Sequence, residues 1–407
     1  MHDRYAFSCR DHNPRYGDVR DLDNFDYKSP TRIVFGKDEI ESLPELLREA
    51  QAKRVLLVYG RKAVKDLGIH KRVQEIASTM DIELYEEAGV RPNPELESVK
   101  SGRRKVLEHG IDFILAAGGG SVMDCAKAIA FSAFKKEEGI WDVFLKKHPV
   151  NRALPLGVIV TMAATGSETN GNTVISNDAR NDKRSIKNDN LIPAFAIIDP
   201  SYTVGLSKKK TVAGSIDIMT HIFEQYFSPT KRTLTSDYMS LGILKSVVEN
   251  TQKILQGKDS YDARANLSWA STLALNWILQ QGKEGDWASH NLSYPPTSKY
   301  RLTHGYALAV IHPAWMKMAL AENPSVMRPK LQKIGSELFA DGHPDQVIRS
   351  LKNLYATWGA PTSFREMGIE IGEREAMEYA KKATFHGSLG SVVKITAPLA
   401  KRLYLTC

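Results

Sequence analysis

Cysteine is scarce: Cys9, Cys125 and Cys407 are the only three in 407 residues, and they lie far apart. That count argues against a disulfide framework and leads us to expect a reducing, cytoplasmic setting. No apolar run reaches the roughly 18–20 residues of a membrane span, so no membrane partner is expected. The opening stretch MHDRYAFSCRDHNPRYGDVRD has no apolar core and does not read as a secretory signal. Internal repeats and low-complexity tracts are also missing. Charged residues make up 25% and apolar residues 42%, which excludes long disorder. The formal charge of +8 is spread along the chain with no nucleic-acid motif, so it reads as a basic surface and not as a nucleic-acid partner site. Its longest cluster, SKKK at 207–210, could favour an anionic ligand.

The chain is too long for one hydrophobic core. Short apolar runs (TRIVFG, RVLLVYG at 54–60, DFILAAG at 112–118, LGVIVTM at 156–162, AFAIID at 194–199) alternate with helical patterns such as IHKRVQEIASTM and PELESVKSGRRKVLEHG. This alternation predicts a parallel sheet covered by helices on both faces. After Pro200 the texture becomes long helical stretches, including SDYMSLGILKSVVENTQKIL and DARANLSWASTLALNWILQQ. The expected organisation is a polar arm over 1–23, an α/β domain over 24–200 with a parallel, Rossmann-like sheet, and an all-α domain over 201–407; the loops and histidines that follow make these a dinucleotide-binding and a metal-binding domain.

Three loops suit a nucleotide. DFILAAGGGSVMDCAKAIA is a buried strand, three glycines and a helix start, which offers free N–H groups and a positive dipole end to a phosphate, or forms a structural tight turn. Its spelling departs from GxGxxG, with Met123 at the last position. VTMAATGSETNGNTV is a hydroxyl-rich turn after a strand; it can bind a sugar or phosphate, or simply satisfy its own backbone. In VYGRKAV, Arg61 and Lys62 follow Gly60; an arginine there can pair with the 2′-phosphate of NADP, and two basic residues can equally form a solvated loop.

One stretch is chemically odd. DIMTH at 217–221 puts a carboxylate and an imidazole one helical turn apart among apolar neighbours. Alone the pair is an ion pair or a cap. His290 and His304, 14 positions apart in the same half, change that: three imidazoles and a carboxylate suit Fe²⁺ or Zn²⁺. The other histidines show no such pairing, and His386 reads as structural or cleft-lining.

From about Phe25 to the C-terminus the motifs SPTRIVFG, RPNP, GGGSVMD, ATGSETN, FAIIDP, DIMTHIFEQY, DWASH and THG occur in order. In that set the chain resembles the iron-containing alcohol dehydrogenase family, in the branch of butanol dehydrogenases and NADPH-dependent aldehyde reductases. The resemblance implies a nucleotide domain and a helical domain with a cleft between them. It also implies hydride transfer between NADP(H) or NAD(H) and a primary alcohol or aldehyde such as butanol or butanal. Asp217, His221, His290 and His304 match the family's metal ligands, and Gly119, Gly120 and Ser121 its pyrophosphate loop. Asn93, Asp124, Thr161, Thr165 and Lys183 match further cofactor contacts. Gly60, Arg61 and Lys62 fall where the family chooses between the two cofactors, and Arg61 favours NADP(H) over NAD(H). A homo-oligomer, a dimer, is expected.

The sequence departs from the family at Tyr294, where a second histidine is usual. Tyr294 could donate a proton, wall the pocket, or pack at a helix end. Pro295 and Pro296 follow it, so the helix is expected to stop near Ser293 and let Tyr294 swing out of line. The other readings are a binding homologue with weak or altered activity, and a glycerol dehydrogenase-like or dehydroquinate synthase-like enzyme of the same architecture.

Overall fold

The computed structural model describes residues 21–407. Its strands are β1 (Arg32–Phe35), β2 (Arg54–Tyr59), β3 (Glu83–Glu87), β4 (Phe113–Gly118), β5 (Leu156–Val160), β6 (Asn172–Asn177), β7 (Asp182–Lys187) and β8 (Phe195–Ile198). Six of them form one sheet in the order β1-β8-β5-β4-β2-β3, with every pairing parallel. Strands β4, β5 and β8 are buried along their whole length because helices cover both faces, which is why each reads as an unbroken apolar run.

The connections make this order useful. The chain leaves β2 for the edge strand β3, then crosses back to place β4 on the other side of β2. The strand order therefore reverses between β2 and β4. Open α/β sheets bind ligands in the crevice at the carboxyl ends of such strands. Gly60 follows β2 there, and the three glycines close β4 and open the helix Gly120–Ser132.

After β8 the described chain has no further named strand and is helical. The helix Lys208–Tyr226 runs through the middle of a core that includes Phe223, Tyr226, Phe227 and Trp315. Helices Leu234–Leu255, Tyr261–Leu275, Ala288–Tyr300 and His304–Glu322 surround it. The fold is thus an α/β nucleotide-binding half followed by a helical half. The helix expected to run through WILQQ stops at Leu275, because Trp277 adopts a left-handed backbone with φ 72°.

Two glycines allow close packing, Gly214 between the two halves and Gly305 between two helices of the helical half. A Cβ on Gly214 would lie 2.5 Å from the carbonyl oxygen of Ala163, in the loop after β5. A Cβ on Gly305 would lie 2.0 Å from the carbonyl oxygen of Ala213. Both contacts are to backbone, which cannot step aside. Gly305→Ala is expected to cost about 1–3 kcal/mol through overpacking. Thermal unfolding checks this, and an unchanged midpoint would show that the helix shifts freely.

Two elements were not anticipated. Strand β3, ELYEE, is a half-buried edge strand whose charges hide its pattern. The antiparallel pair β6–β7 is polar and packs on the helix Gly120–Ser132. The arm expected over 1–23 lies outside the described residues but for its last three, where Asp23 N–H donates to Gly282 O at 2.9 Å.

Candidate active site

Ser207 caps the helix Lys208–Tyr226, its Oγ accepting from Lys210 N at 3.4 Å. Ten residues on, Asp217 and His221 face the same side. His221 Nε2 lies 3.8 Å from Asp217 Oδ1, and His290 Nε2 and His304 Nε2 each lie 3.7 Å from that same oxygen. Asp217, His290 and His304 offer atoms all within 4.8 Å of one another; His221 stands outside that mutual set and joins through the shared oxygen and by stacking on His290 at 4.5 Å. Four ligands about 2.1 Å from one centre would have edges of about 3.4 Å, so the cluster needs little adjustment to close on a cation.

Two of the facing atoms, Asp217 Oδ1 and His290 Nε2, are buried and make no hydrogen bond among the described residues, and neither do the second ring nitrogens, His221 Nδ1 and His304 Nδ1. Such groups are costly unless something pairs with them. Burial holds the His221 imidazole down to about 4, with His290 adding to the effect. Burial likewise keeps His304 well below its ordinary value, helped by Lys183 and the other two rings. Burial pushes Asp217 up, but His221, His290 and His304 together bring it down to about 2. At His290 burial lowers the affinity for a proton, and the neighbouring Asp217 and Glu224 carboxylates raise it to about 9.

Glu224 sits one turn past His221 on the same helix. Its Oε1 accepts from His290 N at 2.9 Å and from His290 Nδ1 at 3.0 Å. The Nδ1 proton is thereby fixed on that side, and Nε2 faces Asp217. Sequence reasoning passed over Glu224, although its seven-residue spacing from Asp217 puts both on one helix face. Asp286, in DWASH, receives Ala288 N at Oδ1 and Ser391 N and Val392 N at Oδ2, tying the C-terminal segment behind His290.

The helix Ala288–Tyr300 does not end at Ser293 as expected; it continues through both prolines. Pro296 leaves the Leu292 carbonyl without its helical donor, and the Tyr404 hydroxyl supplies one at 2.6 Å. Tyr294 therefore stays on the ligand face. Its ring lies 6.2 Å from that of His304, with Lys183 Nζ 5.4 Å over it. Burial raises its hydroxyl pKa, opposed by a hydrogen bond with Ser185.

At the sheet's reversal point, a Cβ on Gly120 would lie 2.5 Å from Thr165 Oγ1, so the glycine backbone and that hydroxyl form one bare cradle beside Ser121. Thr161 is buried, its N–H donating to Gly118 O at 3.0 Å. Asn93, left-handed at φ 56°, accepts from Lys183 Nζ at 2.8 Å and donates to Leu302 O at 3.3 Å. Burial holds Lys183 down to about 8. Arg61 and Lys62 are exposed just past Gly60. Asp124 faces inward: Oδ1 accepts from Ser167 Oγ at 2.9 Å and Oδ2 from Val174 N at 3.1 Å. Its carboxylate braces the loop, and burial raises it to about 6.

Lys127 was also missed. Its fully buried ammonium donates to Ser167 O, Ser167 Oγ, Asn170 O and Asn172 O at 2.6–3.0 Å. The lone lysine in CAKAIAF was the available signal.

Comparison with known proteins shows the family. The family model for iron-containing alcohol dehydrogenase matches residues 30–200, and the model for the C-terminal part of the Fe-containing alcohol dehydrogenase family matches 211–393. The chain is 37% identical over 374 residues to a probable NADH-dependent butanol dehydrogenase 1 of Bacillus subtilis, covering 91% of this chain and 95% of that one. It is 33% identical over 393 residues to the NADPH-dependent aldehyde reductase YqhD of Escherichia coli, covering 94% and 99%. The crystal structure of NADH-dependent butanol dehydrogenase A from Thermotoga maritima superimposes with a TM-score of 0.90 at 31% identity, covering 95% of this chain and all of that one.

Proposed function

Because the chain belongs to the iron-containing alcohol dehydrogenase family and is an NAD(P)-dependent alcohol dehydrogenase or aldehyde reductase, we propose that it works chiefly as an NADPH-dependent reductase of short aldehydes such as butanal. Asp217, His221, His290 and His304 hold one divalent cation, Fe²⁺ or Zn²⁺. The observation that supports this most is the approach of three imidazole Nε2 atoms to the single unpartnered oxygen Asp217 Oδ1 at 3.7–3.8 Å.

When bound, the metal supplies Lewis-acid polarisation of the carbonyl oxygen and the nicotinamide supplies the hydride. The chain does the rest. Gly119, Gly120 and Ser121 receive the pyrophosphate at the helix start, with Thr165 beside them. Lys183, held by Asn93, joins the cofactor side to the metal side through the Tyr294 ring. Glu224 keeps the His290 proton on Nδ1, away from the cation. Tyr294 walls the pocket and narrows water's access. The preference for NADP(H) rests on Arg61 and Lys62, since the relatives' names divide between NADH and NADPH. A cytoplasmic homodimer completes the proposal, and sedimentation of the purified protein tests the dimer.

The decisive experiment is metal analysis joined to an activity matrix of NADPH and NADH against butanal. Absence of bound Fe or Zn, or turnover surviving complete metal removal, would overturn the site. Tyr294→Phe separates wall from proton donor. As a wall, turnover at saturating aldehyde stays within about threefold of wild type; as a donor, it falls roughly 100-fold or more.

A further inference from the structure

Beside Tyr294 the cleft opens into a cavity of about 70 Å³ whose walls carry Lys146, Lys183, Arg184, Lys382 and His386. A cavity that had only to hold a butyl chain would need no such lining. Among the described residues Asp182 is the one acid in the lining, and it is engaged by Arg184 Nε at 2.7 Å. Lys382 pairs with Glu378 at 3.0 Å and donates to Asn181 O at 3.1 Å. Four cations thus face two carboxylates, and the cavity keeps a positive excess.

His386 reports that field. Burial lowers its proton affinity, and Lys146 and Arg184 lower it further, against Asp182. Arg184 Nη1 lies 3.4 Å from His386 Nε2. A guanidinium only donates, so Nε2 is the acceptor and Nδ1–H remains a donor. The Arg184 guanidinium also lies 4.3 Å over the Phe385 ring, which fixes its plane. Tyr294 borders both this cavity and, through its ring contact, His304. A molecule lying along Tyr294 would reach both the cavity and the metal cluster.

We propose that this cavity takes the carboxylate of a short ω-oxo acid, so that the preferred aldehydes carry a negative charge at the end remote from the reacting carbon. The assignment rests on the metal-site reading above. Arg184 and Lys146 pair with the carboxylate, and His386 donates to it. A carboxylate is the anion assigned, and competition with orthophosphate separates it from a phosphate ester.

The test uses the metal-loaded enzyme and two probes, 4-oxobutanoate and pentanal. Without cofactor, calorimetric titration is expected to show 4-oxobutanoate binding about tenfold more tightly, with the advantage shrinking as salt rises. With NADPH, kcat/KM is expected to favour 4-oxobutanoate by a similar factor. Two variants remove cations: Lys146→Asn, at a left-handed position with φ 57° that asparagine tolerates, and the double change Arg184→Gln with Asp182→Asn, which leaves no orphaned acid. Each is expected to cut the ratio of the two substrates about threefold or more. Equal binding of both probes by the wild type overturns the proposal, as does a ratio unmoved in both variants. Orthophosphate competing as well as 4-oxobutanoate would overturn the carboxylate assignment. If pentanal is reduced without any preference, the subsite falls and the reaction stands. If neither aldehyde is reduced but 4-oxobutanoate binding is selective and lost in the variants, the reaction falls and the subsite stands.

Discussion

His304→Ala is expected to leave the purified protein essentially without bound Fe or Zn and to lower aldehyde reduction by more than about 100-fold. His304 opens the helix His304–Glu322 and brings Nε2 to 3.7 Å from Asp217 Oδ1. Its loss removes one of four donors and leaves the remaining three around a buried carboxylate. His221→Ala should act alike. Glu224→Gln is the graded control: it keeps all four ligands but weakens the acceptor that orients His290, a change worth roughly 10- to 100-fold in metal affinity. Elemental analysis after gel filtration reads all three. Full metal content in both histidine variants would remove Asp217, His221, His290 and His304 from the ligand assignment, whatever the activity does.

Arg61→Asp is expected to raise the KM for NADPH by roughly 10- to 150-fold, the equivalent of about 1.5–3 kcal/mol for a charge-assisted contact. Arg61 and Lys62 are exposed immediately beyond Gly60, where the strand order reverses. Among the described residues neither side chain has an ion-pair partner that a 2′-phosphate would have to displace. The aspartate would repel that phosphate and offer the free 2′-hydroxyl of NADH an acceptor. Initial rates with both cofactors, at fixed metal occupancy, measure the shift. A cofactor ratio unchanged by Arg61→Asp would place the selecting residues elsewhere.

Which features could be read in advance follows from the range of the forces involved. The central strands and the glycine turn were legible because burial on both faces and helix-start chemistry are local. Asp217 and His221 were legible because helical spacing joins them. Edge strand β3 and the pair β6–β7 were not, since half-buried polar strands lack an apolar rhythm. The helix past Pro295 and Pro296 was misjudged for another reason: the hydroxyl that replaces the missing donor belongs to Tyr404, more than a hundred residues away. Asp124 was legible by position, and its inward orientation was not, because Ser167 and Val174 reach it through the fold.

The Lys127 ammonium, enclosed by four oxygens, has a consequence for the speed of cofactor capture. The loop from Ser167 to Asn172 is ordered by a charge within the protein, so its conformational entropy is lost at folding. A nucleotide taken up at the neighbouring glycines, as proposed, would meet a loop already ordered, and little of its binding energy would go into organising that loop. Association is then limited by diffusion and orientation, with no slow closing phase arising from this loop.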